Sequence, residues 1–320
     1  MEQSKAKDTV VVLTPTGTQQ HIIAHLGIAP QRLVRDIDSW LEEDFGGGDC
    51  SVWTQSCINR RMKFQIVAKQ DFILCGLNFA AAVIHRTHSA VPVTVSSAFE
   101  DGQRVARGDV ILYGEGDANA LLLAERVALN LMARLSGIST KTAHMQELIV
   151  HASGETTNTL PILLETRKTT PGLRMYEKYA TRVGGARNHR HSLDTGLMLK
   201  ENHLRAYGGI VTALEKVKAH SAVLTRTEVE VTNLSEFRLA LHGGADVIML
   251  DNFAASDVRE AVKERNASGK RISLELSGNL TEANIAMAAQ LGVDYLSSGA
   301  LIHQATWVDL SMQLYPLDQQ

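Results

Sequence analysis

Cysteine is scarce in this sequence of 320 residues: Cys50, Cys57 and Cys75 stand alone, and no CxxC pair occurs. An odd number without paired spacing argues against a disulfide framework and a thiolate zinc site, so all three read as reduced, small apolar residues. Aromatic residues make up 5% and no basic stripe interleaves with them, which argues against nucleic acid as a partner. No apolar run approaches the roughly 20 residues that span a bilayer. The first 20 residues also lack the apolar core of a secretory signal, so no membrane partner and a cytoplasmic location are expected. Nucleotide and hydrolase signatures are missing as well. There is no GxxxxGKS/T loop and no GxGxxG after a strand, which argues against NTPases and dinucleotide dehydrogenases. GxSxG and HExxH are also absent.

What is present is a basic segment in an acidic chain. Leu163 to His203 carries Arg167, Lys168, Arg174, Lys178, Arg182, Arg187, Arg190 and Lys200 against Glu165, Glu177, Asp194 and Glu201, four net positive charges where the whole chain is net -3. A local cationic excess of this kind suits a small polyanion. The apolar run Ile162–Leu164 reads as a buried strand delivering Glu165 to Lys168 before Pro171-Gly172 turns the chain, and Gly196–Leu199 delivers Lys200 to His203. His189 and His191 lie between them, and ligand-spacing rules make a metal-binding pair there a poor reading.

In chain order, residues 1 to about 20 read as a flexible lead-in and Ile22 to Phe45 as a helix with Leu33, Ile37, Trp40 and Leu41 inward, stopped by Gly46–Gly48. Alternation at Phe64, Ile66 and Ala68 and at Val91, Val93 and Val95 reads as strands, with a helix from Gly76 to His88. This is a small α+β unit ending near Glu115. Asn119 to His151 is the longest helical stretch, broken or bent around Ser136-Gly137 and apolar on most sides, so Glu125 and Arg126 within it need partners.

Apolar runs then end at Glu165, Lys200, Glu230, Asp251, Ser277 and Ser298, with helical patterns over Arg174–Val183, Gly209–His220, Leu234–Leu241, Ala255–Asn266 and Thr281–Leu291 between them. Six strand–helix repeats indicate a (β/α) barrel or a doubly wound sheet. The barrel is favoured because nearly every strand ends in a polar side chain, as expected where all strands open onto one C-terminal face. Six repeats instead of eight make the barrel incomplete, with an open side to be covered.

Glu230 and Asp251 end successive strands and could pair with the basic segment, hold Mg²⁺ or accept from sugar hydroxyls. Residues 228 to 320 hold 6 Lys/Arg and 13 Asp/Glu, net -7, so one side of the barrel mouth is cationic and the other anionic. Ser277-Gly278-Asn279 and Ser297–Ala300 end the last two strands, where barrel loops backed by a helix N-terminus from Thr281 commonly hold a phosphate.

Seven motifs, ETRKTTPGLR, KYATRVGGARNHR, LKENH, EVEVTNL, ADVIMLDNF, LELSGN and LSSGAL, occur here in the order in which they stand in the quinolinate phosphoribosyltransferases. LLLAERVALNLMARLSGIST resembles that family's long helix, and the resemblance covers most of residues 30 to 315. It implies an N-terminal open α/β sandwich over 21–129, joined by 305–320, and an incomplete (β/α) barrel over 130–304. It also implies quinolinate and 5-phosphoribosyl 1-pyrophosphate as substrates, Mg²⁺ as cofactor, and nicotinate mononucleotide, pyrophosphate and CO2 as products. A homodimer is implied in which each N-terminal domain covers the partner's barrel.

Position by position, the resemblance assigns Arg126 from the partner subunit, Arg167, His189 and Arg190 to the dicarboxylate. Lys168 and Lys200 neutralise carboxylate and pyrophosphate charge. Glu230 and Asp251 hold the ribose hydroxyls and Mg²⁺, directly or through water. Ser277, Gly278, Asn279, Gly299 and His303 take the 5-phosphate. Arg187 stands where the family has small residues and is expected to point to solvent. Rival readings are a relative acting on a different base, a barrel aldolase with Lys200 as Schiff base, and a binding barrel without chemistry.

Overall fold

The computed structural model describes residues 10–47, 49–51, 60–88, 91–153 and 160–317; Cys57, Gly48 and the first nine residues of the expected lead-in lie outside them. In chain order the elements begin with β1 (Val11–Val12), α1 (Pro15–Leu26), α2 (Pro30–Phe45), β2 (Arg61–Ala68), β3 (Phe72–Ile73), α3 (Leu77–Thr87), β4 (Thr94–Ser97), β5 (Arg104–Val105), β6 (Val110–Asp117) and α4 (Ala118–Ser153). Next come β7 (Ile162–Leu164), α5 (Arg174–Val183), β8 (Leu197–Leu199), α6 (Glu201–Tyr207), α7 (Ile210–His220), β9 (Thr227–Val231) and α8 (Leu234–Gly243). The chain closes with β10 (Val247–Asp251), α9 (Ala255–Ala267), β11 (Ser273–Ser277), α10 (Ile285–Ala288), β12 (Tyr295–Ser297), α11 (Ala300–His303) and β13 (Leu310–Pro316).

Two compact units result. The first comprises Met1–Lys141, Met175–Gly184 and Ala305–Gln320, the second Thr142–Arg174 and Gly185–Gln304. Residues 175–184 belong to the first unit although they stand between two barrel strands in the sequence.

The first unit is built on a five-stranded antiparallel sheet in the order β1-β4-β6-β2-β13. Alternation along β2 places Phe64, Ile66 and Ala68 in the core, each with no exposed surface. The expected strand at Val91 to Val95 is shorter, since β4 starts only at Thr94. Two helices stand where one was read from Ile22 to Phe45, and α1 begins inside the expected lead-in. Thr14 caps α1 by accepting from the Gly17 amide, Gly27 at φ 63° ends it, and Pro30 opens α2. A left-handed glycine followed closely by a proline breaks a helix whatever the apolar spacing around it.

Helix α4 runs unbroken through Ser136-Gly137, where a break or bend was expected. Ser136 and Gly137 serve packing. The Ser136 hydroxyl exchanges hydrogen bonds with the Cys75 backbone, and a Cβ on Gly137 would lie 2.1 Å from the carbonyl oxygen of Thr306. Among α4's charges, Arg134 joins Glu177 at 2.8 Å, with Glu177 fully buried. Arg126 is exposed and Glu125 half-buried, so neither carries the burial cost anticipated for it.

The second unit holds six parallel strands in the order β7-β12-β11-β10-β9-β8. The first strand pairs with the last, and β7 and β8 are the two edges of the opening. The edge of β7 is partly used by the backbone of Arg187, whose amide donates to the Leu163 carbonyl at 2.9 Å while its side chain is exposed, as expected. Along β9 the pleat sends Val229 and Val231 to one face and Glu228 and Glu230 to the other. Thr281–Leu291 was expected to be a helix, yet only the turn α10 is helical. Asn284 takes the Thr281 amide on its side-chain oxygen and donates to the Asn279 carbonyl, which ties this stretch into a turn.

Gly137→Ala is expected to lower the free energy of unfolding by about 2 kcal/mol or more, because the contact is backbone against backbone. Gly47→Ala, with nothing within 4 Å of the added Cβ, is the control and should change it little. Urea denaturation of both variants checks this.

Candidate active site

Parallel register aligns the strand ends. Asp251 pairs with Ser277, while Glu230 pairs with Met249, one pleat before Asp251, and the polar residues near the ends of β9, β10 and β11 line one cavity. A cavity of about 520 Å³ opens there. It is lined by twelve residues expected from the sequence: Arg167, Lys168, His189, Arg190, Lys200, Glu230, Asp251, Ser277, Gly278, Asn279, Gly299 and His303. Arg126 is not among them; it lies on α4 in the first unit. His191 and Arg187 also lie outside its lining.

A larger cavity, about 730 Å³, lies in the first unit beside His21, Asp101 and Tyr179. Of its two acids, Glu100 and Asp101, the second is already used, since Asp101 accepts from the amides of Gly76 and Leu77 and from the Tyr179 hydroxyl. It lacks the converging cations of the barrel mouth.

In the barrel mouth, Lys200 is ion-paired with Glu230. Asp251 accepts from the Asn252 side chain at 2.9 Å, and Asn279 reaches the Asn252 oxygen at 3.2 Å. Asn252 and Asn279 both have positive φ, 56° and 50°, and Gly278 between the strand end and Asn279 has φ 101°. A Cβ on Gly278 would lie 2.3 Å from the Asn252 side-chain oxygen, so this turn requires glycine on two counts. Gly299 likewise lets Lys168 and His303 approach, each about 3.0 Å from where its Cβ would be.

Arg190 is held by the Gly196 carbonyl at 3.0 Å and by the Met198 sulfur at 3.6 Å. Burial, and then the neighbouring Arg167 charge, lower its proton affinity from the ordinary arginine value. Two guanidinium groups close together are what a dicarboxylate would neutralise.

Beneath this rim lies a layer in which the sequence marked Glu165 and Ser297 but not Glu228 or Glu275. Counting back two residues from Arg167, Lys200, Glu230, Asp251, Ser277 and Gly299 gives Glu165, Met198, Glu228, Met249, Glu275 and Ser297, and period-two alternation is the signal that could have found it. Glu165 has no exposed surface and Glu275 only 1%. Nε2 of His189 lies 3.1 Å from Glu228 and 3.6 Å from Glu275. Burial alone would lower the ring's pKa, but the hydrogen bonds and charges of Glu228 and Glu275 outweigh it and raise it to about 10. The Arg190 amide, 2.7 Å from Nδ1, favours a ring protonated only at Nε2. Two carboxylate charges in a water-poor setting exceed one amide dipole, so the ring is cationic. Glu228 is pushed up, by burial and then by the Glu275 charge.

Parallel strands opening on one mouth, with cations on one side and carboxylates and a glycine turn on the other, define a barrel enzyme for small polyanionic substrates. The model of the quinolinate phosphoribosyl transferase C-terminal domain matches residues 138–313, and that of the N-terminal domain matches 52–136. The chain is 38% identical over 279 residues to a probable nicotinate-nucleotide pyrophosphorylase (carboxylating) of Synechocystis sp., covering 87% of this chain and 91% of the relative. It is 36% identical over 249 residues to the nicotinate-nucleotide pyrophosphorylase (carboxylating) of Mycobacterium leprae, covering 78% and 85%. The solved nicotinate-nucleotide pyrophosphorylase of Francisella tularensis superposes with a TM-score of 0.81 at 35% identity, over 90% of this chain and 97% of that one. NadC from Streptococcus pyogenes superposes with a TM-score of 0.82 at 35% identity, over 91% and 99%. This chain belongs to the quinolinate phosphoribosyl transferase family.

A group whose folded pKa is raised stabilises the fold fully below its unfolded value, near 6.5 for histidine, and loses that stabilisation as pH rises through the folded value. The His189 ring should therefore titrate near pH 10 and stay cationic from pH 6 to 8. Histidine ring NMR shifts compared with those of His189→Gln identify the signal, and a midpoint near 6.5 contradicts the assignment.

Proposed function

We propose that this protein is a quinolinate phosphoribosyltransferase, converting quinolinate and 5-phosphoribosyl 1-pyrophosphate to nicotinate mononucleotide, pyrophosphate and CO2 for NAD biosynthesis. Family membership gives the reaction. The observation that carries the residue roles is the convergence of Arg167, Lys168, His189, Arg190 and Lys200 with Glu230, Asp251 and the Ser277–Asn279 turn on one cavity.

Arg167, His189 and Arg190 hold the two carboxylates of the pyridine, and Arg126 of a second copy completes the set in a homodimer. Lys168 and Lys200 offset the charge of the departing pyrophosphate. Ser277, Gly278, Asn279, Gly299 and His303 seat the 5-phosphate, where a turn of backbone amides and small residues lets phosphate oxygens come close. Glu230 and Asp251 take the ribose hydroxyls and are the residues that would hold magnesium. Two adjacent carboxylates suit it, because this ion binds one or two carboxylates and keeps waters and substrate phosphates as its other ligands. When bound, magnesium neutralises pyrophosphate charge. Among the described residues no helix is long and apolar enough to cross a membrane, and we place the reaction in the cytoplasm.

The mechanism follows from charge placement. As pyrophosphate leaves, C1 of the ribose becomes cationic beside Glu230 and Asp251, and the pyridine nitrogen, held in line by the guanidinium groups, attacks it. Alkylation makes that nitrogen positive, so the adjacent carboxylate leaves as CO2 and its electron pair stays on the ring carbon next to the cation. That carbon then takes a proton. Lys200, engaged with Glu230, is not offered as a Schiff-base nucleophile.

The test is product formation from purified protein, quinolinate, 5-phosphoribosyl 1-pyrophosphate and Mg²⁺, with each omitted in turn. Loss of nicotinate mononucleotide and CO2 on leaving out either substrate is expected; turnover with a different base and not quinolinate would refute the reading. Arg167→Ala should lower kcat/KM by about 100-fold or more while melting is unchanged. Near-normal turnover in that variant would refute its role.

A further inference from the structure

The layer beneath the rim puts three carboxylates from three strands around one short turn. Glu165, at the end of β7, accepts the His189 amide at 3.0 Å on one oxygen and the Asn188 side chain at 2.9 Å on the other. Glu228 of β9 and Glu275 of β11 face Nε2 of the His189 ring. Negative groups under an anion site weaken its attraction for the substrate, and burying them is costly. Glu228 and Glu275 each also keep one buried oxygen without a hydrogen-bond partner. An arrangement that costs both stability and attraction points to a task that apolar packing could not perform.

The donor set could also suit a metal ion, since the three ligand atoms lie within 4.8 Å of one another. The ring argues otherwise. Glu228 and Glu275, which hold the ring as a cation, keep a hydrogen on Nε2 directed at themselves, so Nε2 has no lone pair for a metal.

We infer that Glu165, Glu228 and Glu275 are positioning residues that clamp the backbone and ring of the His189–Arg190 turn, and so set affinity for the dicarboxylate without affecting the phosphorylated sugar. This inference rests on the functional reading above. Glu165 fixes where the turn lies, and the other two fix how the ring faces. The sugar end is held by the turn after β11 and by Gly299.

The experiment is steady-state kinetics on Glu275→Ala and Glu275→Gln, varying each substrate separately, with thermal melting alongside. Losing a charged hydrogen-bond partner of the ring corresponds to roughly tenfold to a hundredfold in affinity. Glu275→Ala should raise KM for quinolinate by that factor and leave KM for 5-phosphoribosyl 1-pyrophosphate within about twofold. Glu275→Gln, whose side-chain oxygen still accepts from Nε2, should recover most of the loss. Asn188→Ala, which removes one bond to Glu165 at the surface of the turn, should show the same selectivity if Glu275 variants fold poorly. Equal rises in both KM values, no rise, or a Gln variant no better than Ala overturns the inference while leaving the function intact. Wild-type protein without quinolinate turnover overturns both.

Discussion

Everything at the barrel mouth depends on one constraint, the common direction of six hydrogen-bonded strands. Because β7 to β12 run parallel in register, their C-terminal ends share a rim, and residues far apart in sequence become neighbours without any dedicated interaction between them. The pleat then stacks a second layer two residues deeper. Rim and floor are thus fixed by a single geometry, and the chemistry of the site consists of the side chains that sequence has placed at those two levels.

This accounts for what could be read from the chain and what could not. Strand ends are marked by polar residues after apolar runs, so Lys200, Glu230, Asp251 and Ser277 were legible one by one. Glu228 and Glu275 lie inside apolar-looking strands, and their role depends on a histidine many residues away that only the fold brings to them. The long helix illustrates a different limit. Ser136-Gly137 has the composition of a break, but its meaning is a close backbone approach by Thr306, a tertiary fact with no local signature. Thr281–Leu291 has helical spacing, yet the side chain of Asn284 bonds the Thr281 amide and the Asn279 carbonyl and ties the stretch into a turn.

Electrostatics divide the site in the same way as the sequence. Cations gather after the first two barrel strands and anions on the next three, so the cavity has a polarity suited to a substrate pair that is negative at its ends and becomes positive at its centre. Burial raises the stakes of every pairing. His189 between Glu228 and Glu275, and Arg134 against Glu177 in the first unit, are places where removing one partner strands the other.

The strand order also bears on how the chain is made. Leu163 of β7 pairs with Leu296 of β12, and in the first unit Ala68 of β2 pairs with Leu310 of β13. Each sheet is therefore completed by a strand far along the chain from its partner. During synthesis, neither unit can close until β12 and β13 have left the ribosome, and until then the nascent protein carries two unfinished sheets with exposed edges. Parallel and long-range pairings form slowly, so this is the interval in which such a chain is most open to aggregation and most dependent on chaperones.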